Sequence, residues 1–131
     1  MTATVDLLNA IRAHLVEFEL PAISSVHVTA SQFAPQVVVQ LVGYELPEIA
    51  GALLAWADTL VGVTAEAWRV SQGGCLHLSV TGRLTDGACV EVYGGLRFIE
   101  RGLGADLAPN ATTTIPLAAL RHAATLGDVT A

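Results

Sequence analysis

Apolar positions along this chain switch between a period near 3.6 and a period of two. Over residues 4–18, Leu8, Ile11, Leu15 and Phe18 recur at helical spacing, and Thr4 is placed to accept a first-turn N–H as an N-cap. Pro21 ends that region. Residues 25–30 then alternate, with Val26, Val28 and Ala30 on one side and Ser25, His27 and Thr29 on the other, the pattern of a half-buried strand. Residues 36–42 predict a second strand. Val37, Val39 and Leu41 share one face, while Gln36, Val38, Gln40 and Val42 share the other. Pro47 opens a second helix, where its missing N–H costs little. Ile49, Leu53, Trp56 and Leu60 form its stripe, and Gly62 is placed as its stop. Gly51 either weakens this helix or lets another backbone come close.

Residues 66–71 predict a third strand, with Trp68 and Val70 inward, before a Gly73-Gly74 turn. The clearest local pattern runs over residues 75–93. Leu76, Leu78, Val80 and Leu84 alternate with Cys75, His77, Ser79 and Arg83, and later Val90 and Val92 alternate with Cys89, Glu91 and Tyr93. A two-residue Asp86-Gly87 turn would put the two valines on the polar face. A three-residue loop with Gly87 left-handed pairs Leu84 with Ala88 and sets Val92 beside Val80, which keeps one continuous apolar face. The second register is therefore expected. Residues 97–99 suit a short strand, 102–110 a loop, and 116–126 a final helix with Leu117 and Leu120 inward and Gly127 at its end.

The resulting order is α-β-β-α-β-β-β-α. Short hairpin connections favour an α+β two-layer sandwich, a mainly antiparallel sheet with the helices on one face. Each half is a helix followed by a hairpin, and each hairpin loop carries Ser-Gln (Ser31-Gln32 and Ser71-Gln72), as a worn duplication would. The 131 residues suit a single domain spanning 1–131.

Composition narrows the function classes. Hydrophobic residues are 53% and charged residues 14% of the chain, and mean hydropathy is +0.57. No apolar run approaches the ~18–20 residues of a spanning helix, so a membrane span is not expected and a buried oligomer interface is one explanation of the excess. The net charge is −6. All six basic residues are arginines and they are scattered, which argues against a nucleic-acid partner, since phosphate neutralisation needs clustered cations. Lysine is absent, which excludes Schiff-base and phosphate-loop chemistry. Asp6, Asn9, Arg12 and His14 interrupt the first apolar segment, so it does not read as a signal peptide. Two cysteines, Cys75 and Cys89, suit a reducing, cytoplasmic setting.

No catalytic, cofactor or metal constellation emerges. Cys75, His77 and Cys89 include ligand types, but Cys89 pairs with Arg83 in the chosen register. Cys75 lies eight residues before Arg83, about 26 Å along a strand, too far for a disulfide or shared zinc. Gly102-Leu103-Gly104-Ala105-Asp106 mimics a dinucleotide fingerprint without the strand, helix or parallel unit that motif needs. Glu45 and Glu48 suit the positive end of the second helix. His14 and His122 read as solvated. What remains is the outer sheet face, including Ser25, Thr29, Arg69, Ser79, Thr81 and Glu91. It is poor in Lys and Asp and carries Tyr and Arg, as interfaces do.

The segments Ile49-Ala50-Gly51-Ala52-Leu53-Leu54-Ala55-Trp56-Ala57-Asp58, Leu76-His77-Leu78-Ser79-Val80-Thr81-Gly82-Arg83-Leu84 and Arg101-Gly102-Leu103-Gly104-Ala105-Asp106-Leu107 resemble small proteins of high-GC actinobacteria. The resemblance covers most of the chain. It implies an origin and transfers no activity or site. The leading expectation is a non-enzymatic interaction module, a homo-oligomer or an adaptor for one protein. Its interface would use His27, Val38, Gln40, Val42, His77, Arg83 and Tyr93. The alternative is a small enzyme or small-molecule-binding protein with a cleft between sheet and helices. No cofactor is expected.

Overall fold

Helices form where the period is near 3.6 and strands where it is two. The computed structural model describes residues 3–30, 36–43, 45–70, 74–85, 87–97 and 107–125. The elements are α1 (Ala3–Glu17), β1 (Ile23–Val28), β2 (Val37–Leu41), α2 (Leu46–Ala57), β3 (Val61–Arg69), β4 (Cys75–Arg83), β5 (Cys89–Arg97), β6 (Thr112–Ile115) and α3 (Leu117–Thr125). The fold is the expected α+β sandwich, with one strand more than the sequence pattern gave, β6. The Ser31-Gln32 and Ser71-Gln72 pairs, Gly73, the 102–106 stretch and Gly127 lie outside the described residues.

The six strands order as β1-β2-β5-β4-β3-β6. Every neighbouring pair is antiparallel except β2–β5, which is parallel. The β4–β5 ladder has the expected register: Arg83 faces Cys89, Gly82 faces Val90 and Val80 faces Val92. The Leu84 N–H donates to the Ala88 carbonyl at 2.9 Å, and Gly87 turns the chain with φ +96°. That conformation is cheap only without a Cβ. The register holds because a one-residue slip would move either Leu76, Leu78 and Val80 or Val90 and Val92 into water. All five are buried.

α2 covers the inner face. Pro47 sits in its first turn, and Ile49, Leu53 and Trp56 are fully buried. Gly94 lets it come close: a Cβ there would lie 2.5 Å from Ile49 Cδ1. Gly51 plays no such part, since a Cβ there would meet nothing within 4 Å. α3 packs beside α2 through Leu120 and Ala123.

Several local expectations change. α1 starts at Ala3, so Thr4 lies inside its first turn. Its buried stripe is Leu7, Ile11 and His14, and Leu8 is exposed. Both stripes have helical spacing. The one containing His14 wins because the ring finds a partner: Thr59 Oγ1 donates to the Trp56 carbonyl (2.7 Å), so His14 Nε2–H donates to Thr59 Oγ1 (2.8 Å). His14 is buried rather than solvated, stacked on Trp56 at 5.7 Å. Gly62, at φ +65°, does not stop α2. That helix ends at Ala57, and Gly62 lies where the β3–β4 register shifts, as in a bulge. β3 is also longer than expected and faces the other way. Ala65 and Ala67 point inward, Glu66 and Trp68 outward, and Arg69 takes the inner parity beside Leu76, donating to the Leu107 carbonyl at 2.8 Å. Val70 lies past the strand end. The segment at residue 97 is the end of a continuous β5.

Candidate functional site

On the outer face, side chains rise side by side in rows fixed by strand pairing. Gly95, His77, Trp68 and Thr112 form one row across β5, β4, β3 and β6. The next outward-facing row runs Ser25, Gln40, Tyr93, Ser79, Glu66 and Thr114, and the one after it His27, Val38, Glu91, Thr81 and Thr64. Ser79 is short, and its neighbours are long. Trp68, His77, Tyr93, Glu66 and Glu91 therefore stand around a hole whose floor is Ser79. The hole is a pocket of about 350 Å³, with Thr112 completing its wall. It lies on the side of the sheet away from the helices, not in a cleft between the layers.

The rings are ordered against one another. Trp68 stands edge-on to His77, with centroids 5.1 Å apart and planes at 86°. His77 is nearly parallel to Tyr93, at 5.4 Å and 24°. Gly95 lies opposite His77, where even a Cβ would meet the imidazole only at an ordinary contact distance of 3.4 Å. Rings in two nearly orthogonal planes thus line one cavity. Burial holds the His77 pKa below the ordinary value of 6.5, favouring the neutral ring. Burial, and then the charge of Glu66, push the Glu91 carboxyl above its ordinary 4.5. Among the described residues, neither glutamate has an ion-pair partner.

The expected interface residues divide into three groups. His77 and Tyr93 line the pocket. Gln40, Val38 and His27 lie on the same face beside it, Gln40 accepting from Ser25 Oγ at 3.4 Å. Arg83 and Val42 are at the margins, Arg83 exposed at the end of β4 and Val42 exposed just past β2. Cys75 faces Arg97 and Cys89 faces Arg83, at opposite ends of the β4–β5 ladder, and both thiols are free. Among the described residues no group of three or more His, Cys, Asp or Glu side chains could hold a metal ion, and no helix is long and apolar enough to cross a membrane.

Sequence reasoning missed Trp68 and Glu66 as pocket walls. The signal was present: Glu66 and Trp68 share a parity, and Ala65 and Ala67 share the other. A strand facing a packed core places two alanines inward far more cheaply than a carboxylate. Thr112 went unnoticed because β6 is short and not hydrophobic. No protein-family model, curated protein or solved structure matches this chain.

Proposed function

We propose that the chain is a non-enzymatic interaction module that works through the outer sheet face, with a second copy of itself as the partner. The observation that carries this reading is the layout of charge and apolar surface on that face. Glu66 and Glu91 stand at the pocket, Arg83 and Arg97 stand exposed at the two ends of the β4–β5 ladder, and Val38 lies in the Thr81–Glu91 row. A two-fold axis along that row would set Val38 and Glu91 each against its own copy and bring Arg83 of one protomer over Ser79 of the other, where its charge offsets the facing glutamates. Such a contact is self-complementary, as an isologous dimer requires.

Light scattering and circular dichroism test the reading. Wild-type protein is expected to run as a dimer. Val38→Asp is expected to run as a monomer with unchanged helix and strand content, because a carboxylate buried without a partner is costly at an interface. A wild type that stays monomeric at high concentration sinks the dimer. A Val38→Asp protein that unfolds would make Val38 core.

A second reading, a small enzyme or small-molecule-binding protein, has one observation in its favour. Glu91 has a raised pKa beside Glu66, in a cavity that also holds His77 and Tyr93. Perturbed carboxylates in clefts are candidates for acid–base work. On this reading the chemistry would sit in the outer-face pocket.

A further inference from the structure

We propose that the Ser79-centred pocket is an arginine site: it takes the guanidinium group of a partner's arginine side chain against the cluster of rings formed by Trp68, His77 and Tyr93, with Glu66 and Glu91 as its counter-charges. This deepens the reading of the outer face as an interaction surface and rests on it, by naming the group that the pocket recognises.

Four features point to a guanidinium. First, charge: two carboxylates border the pocket, and no cation lines it among the described residues. The two acids repel each other, and Glu91 carries the cost. A bound cation would relieve it. Second, the aromatic rings: a cation is attracted to a π face, and three rings in two nearly orthogonal planes line the pocket. Third, shape: a guanidinium is planar, weakly hydrated and carries five donors, so it can lie against a ring while bonding two carboxylates. Ser79 Oγ on the floor and Thr112 on the wall are further acceptors for those donors. A lysine ammonium is a compact, strongly hydrated charge that would use the ring faces poorly. Fourth, size: about 350 Å³ is near the bottom of the ~300–1,000 Å³ range of ligand pockets, right for one side chain and too small for a large cofactor.

Neutral His77 fits this assignment. A charged imidazole in the wall would repel the incoming group, and burial already disfavours that form. Binding is therefore expected to weaken on acidification, as His77 and Glu91 take up protons.

Fluorescence of Trp68 is the test, because Trp56 is fully buried and remote from the ligand. The protein is Arg83→Ala, so that no neighbouring copy's Arg83 competes. The probe is N-acetyl-arginine amide, with the citrulline and lysine counterparts as comparisons. Arginine is expected to change Trp68 emission saturably in the millimolar range. Citrulline, the same shape without charge, is expected to leave it unchanged. Lysine is expected to bind about tenfold more weakly. The Glu66→Gln/Glu91→Gln double variant, shown folded by circular dichroism, is expected to lose at least about tenfold in affinity for arginine. Equal responses to arginine and citrulline would overturn the proposal, and so would no response to arginine. Equal responses to arginine and lysine would leave a cation site and remove the guanidinium assignment. The titration does not need a dimer, so a monomeric wild type would refute the oligomer reading and leave this result standing.

Discussion

His14 and His77 each stand against two aromatic rings, and burial lowers the pKa of both. One cluster is closed and the other is open. His14 packs between Phe18 and Trp56 in the helical layer, and its Nε2–H is used on Thr59. Trp56 has no exposed surface, and its indole N–H is a buried donor without a partner among the described residues. His77 lies half-buried between Trp68 and Tyr93, with two glutamates nearby that have no ion-pair partner among the described residues. The first cluster has its surroundings filled. The second has unmet charge and accessible rings. A histidine among aromatics therefore says nothing by itself, and what distinguishes packing from recognition here is whether unpaired charges and open space lie beside the rings.

The largest expected difference between the clusters is in stability. Trp56→Ala should cost roughly 3–5 kcal/mol, as large-to-small changes of fully buried aromatics do. Trp68→Ala should cost less, roughly 1–2 kcal/mol, because its ring is only partly buried. Urea midpoints at constant m-value check this. A Trp68→Ala loss as large as that of Trp56→Ala would break the contrast and make the outer face a core.

A smaller effect separates the clusters by pH. A folded-state pKa below 6.5 for His14 means that its contribution is complete above 6.5 and is lost as pH falls through that value, where the unfolded chain takes the proton first. His77 acts in the same direction. Glu91 acts oppositely. Its folded pKa lies above 4.5, so its contribution is complete below 4.5 and declines as pH rises through the folded value. Denaturation between pH 7 and 5 should therefore give a flatter profile for His14→Phe than for the wild type. Glu91→Gln should gain stability at neutral pH, by under ~1 kcal/mol on this half-open face, and nothing in strong acid. A Glu91→Gln protein that is less stable at neutral pH would mean that the carboxylate already has a cation beside it.

Where the sequence was legible, alternation had physical consequences on both sides. In β4 and β5, every inward residue is apolar and every outward one polar, small or aromatic, so only one register was affordable, and the Gly87 turn agreed with it. β3 was harder. Its inward residues are alanines, which carry little hydrophobic signal, and its tryptophan has the size of a core residue but the parity of Glu66. β6 is nearly all threonine and exposed, and only its pairing with β3 defines it. His14 was misplaced because a polar residue on a helix reads as solvated until its partner is known, and Thr59 lies far along the chain. Half of the pocket is legible in the sequence: His77 and Tyr93 belong to the expected interface, while the size of Trp68 suggests the opposite facing for the strand that supplies it and Glu66.

The parallel seam between β2 and β5 joins Val37 to Val90 and Val39 to Val92 across the two halves of the chain. Its consequence is one of timing. The β3–β4–β5 meander is built from contacts between neighbours in sequence, and it can form as soon as those strands exist. The first hairpin, β1–β2, has no sheet to join until β5 is complete, and closing so long a loop carries an entropic cost before any contact repays it. A nascent chain would therefore carry its first two strands unattached while the residues from α2 to β5 are made, their valines awaiting the middle of the sheet. Refolding kinetics can read this order: Val80→Ala should slow folding, while Val39→Ala should chiefly speed unfolding. The reverse pattern would mean that the seam between the halves closes first.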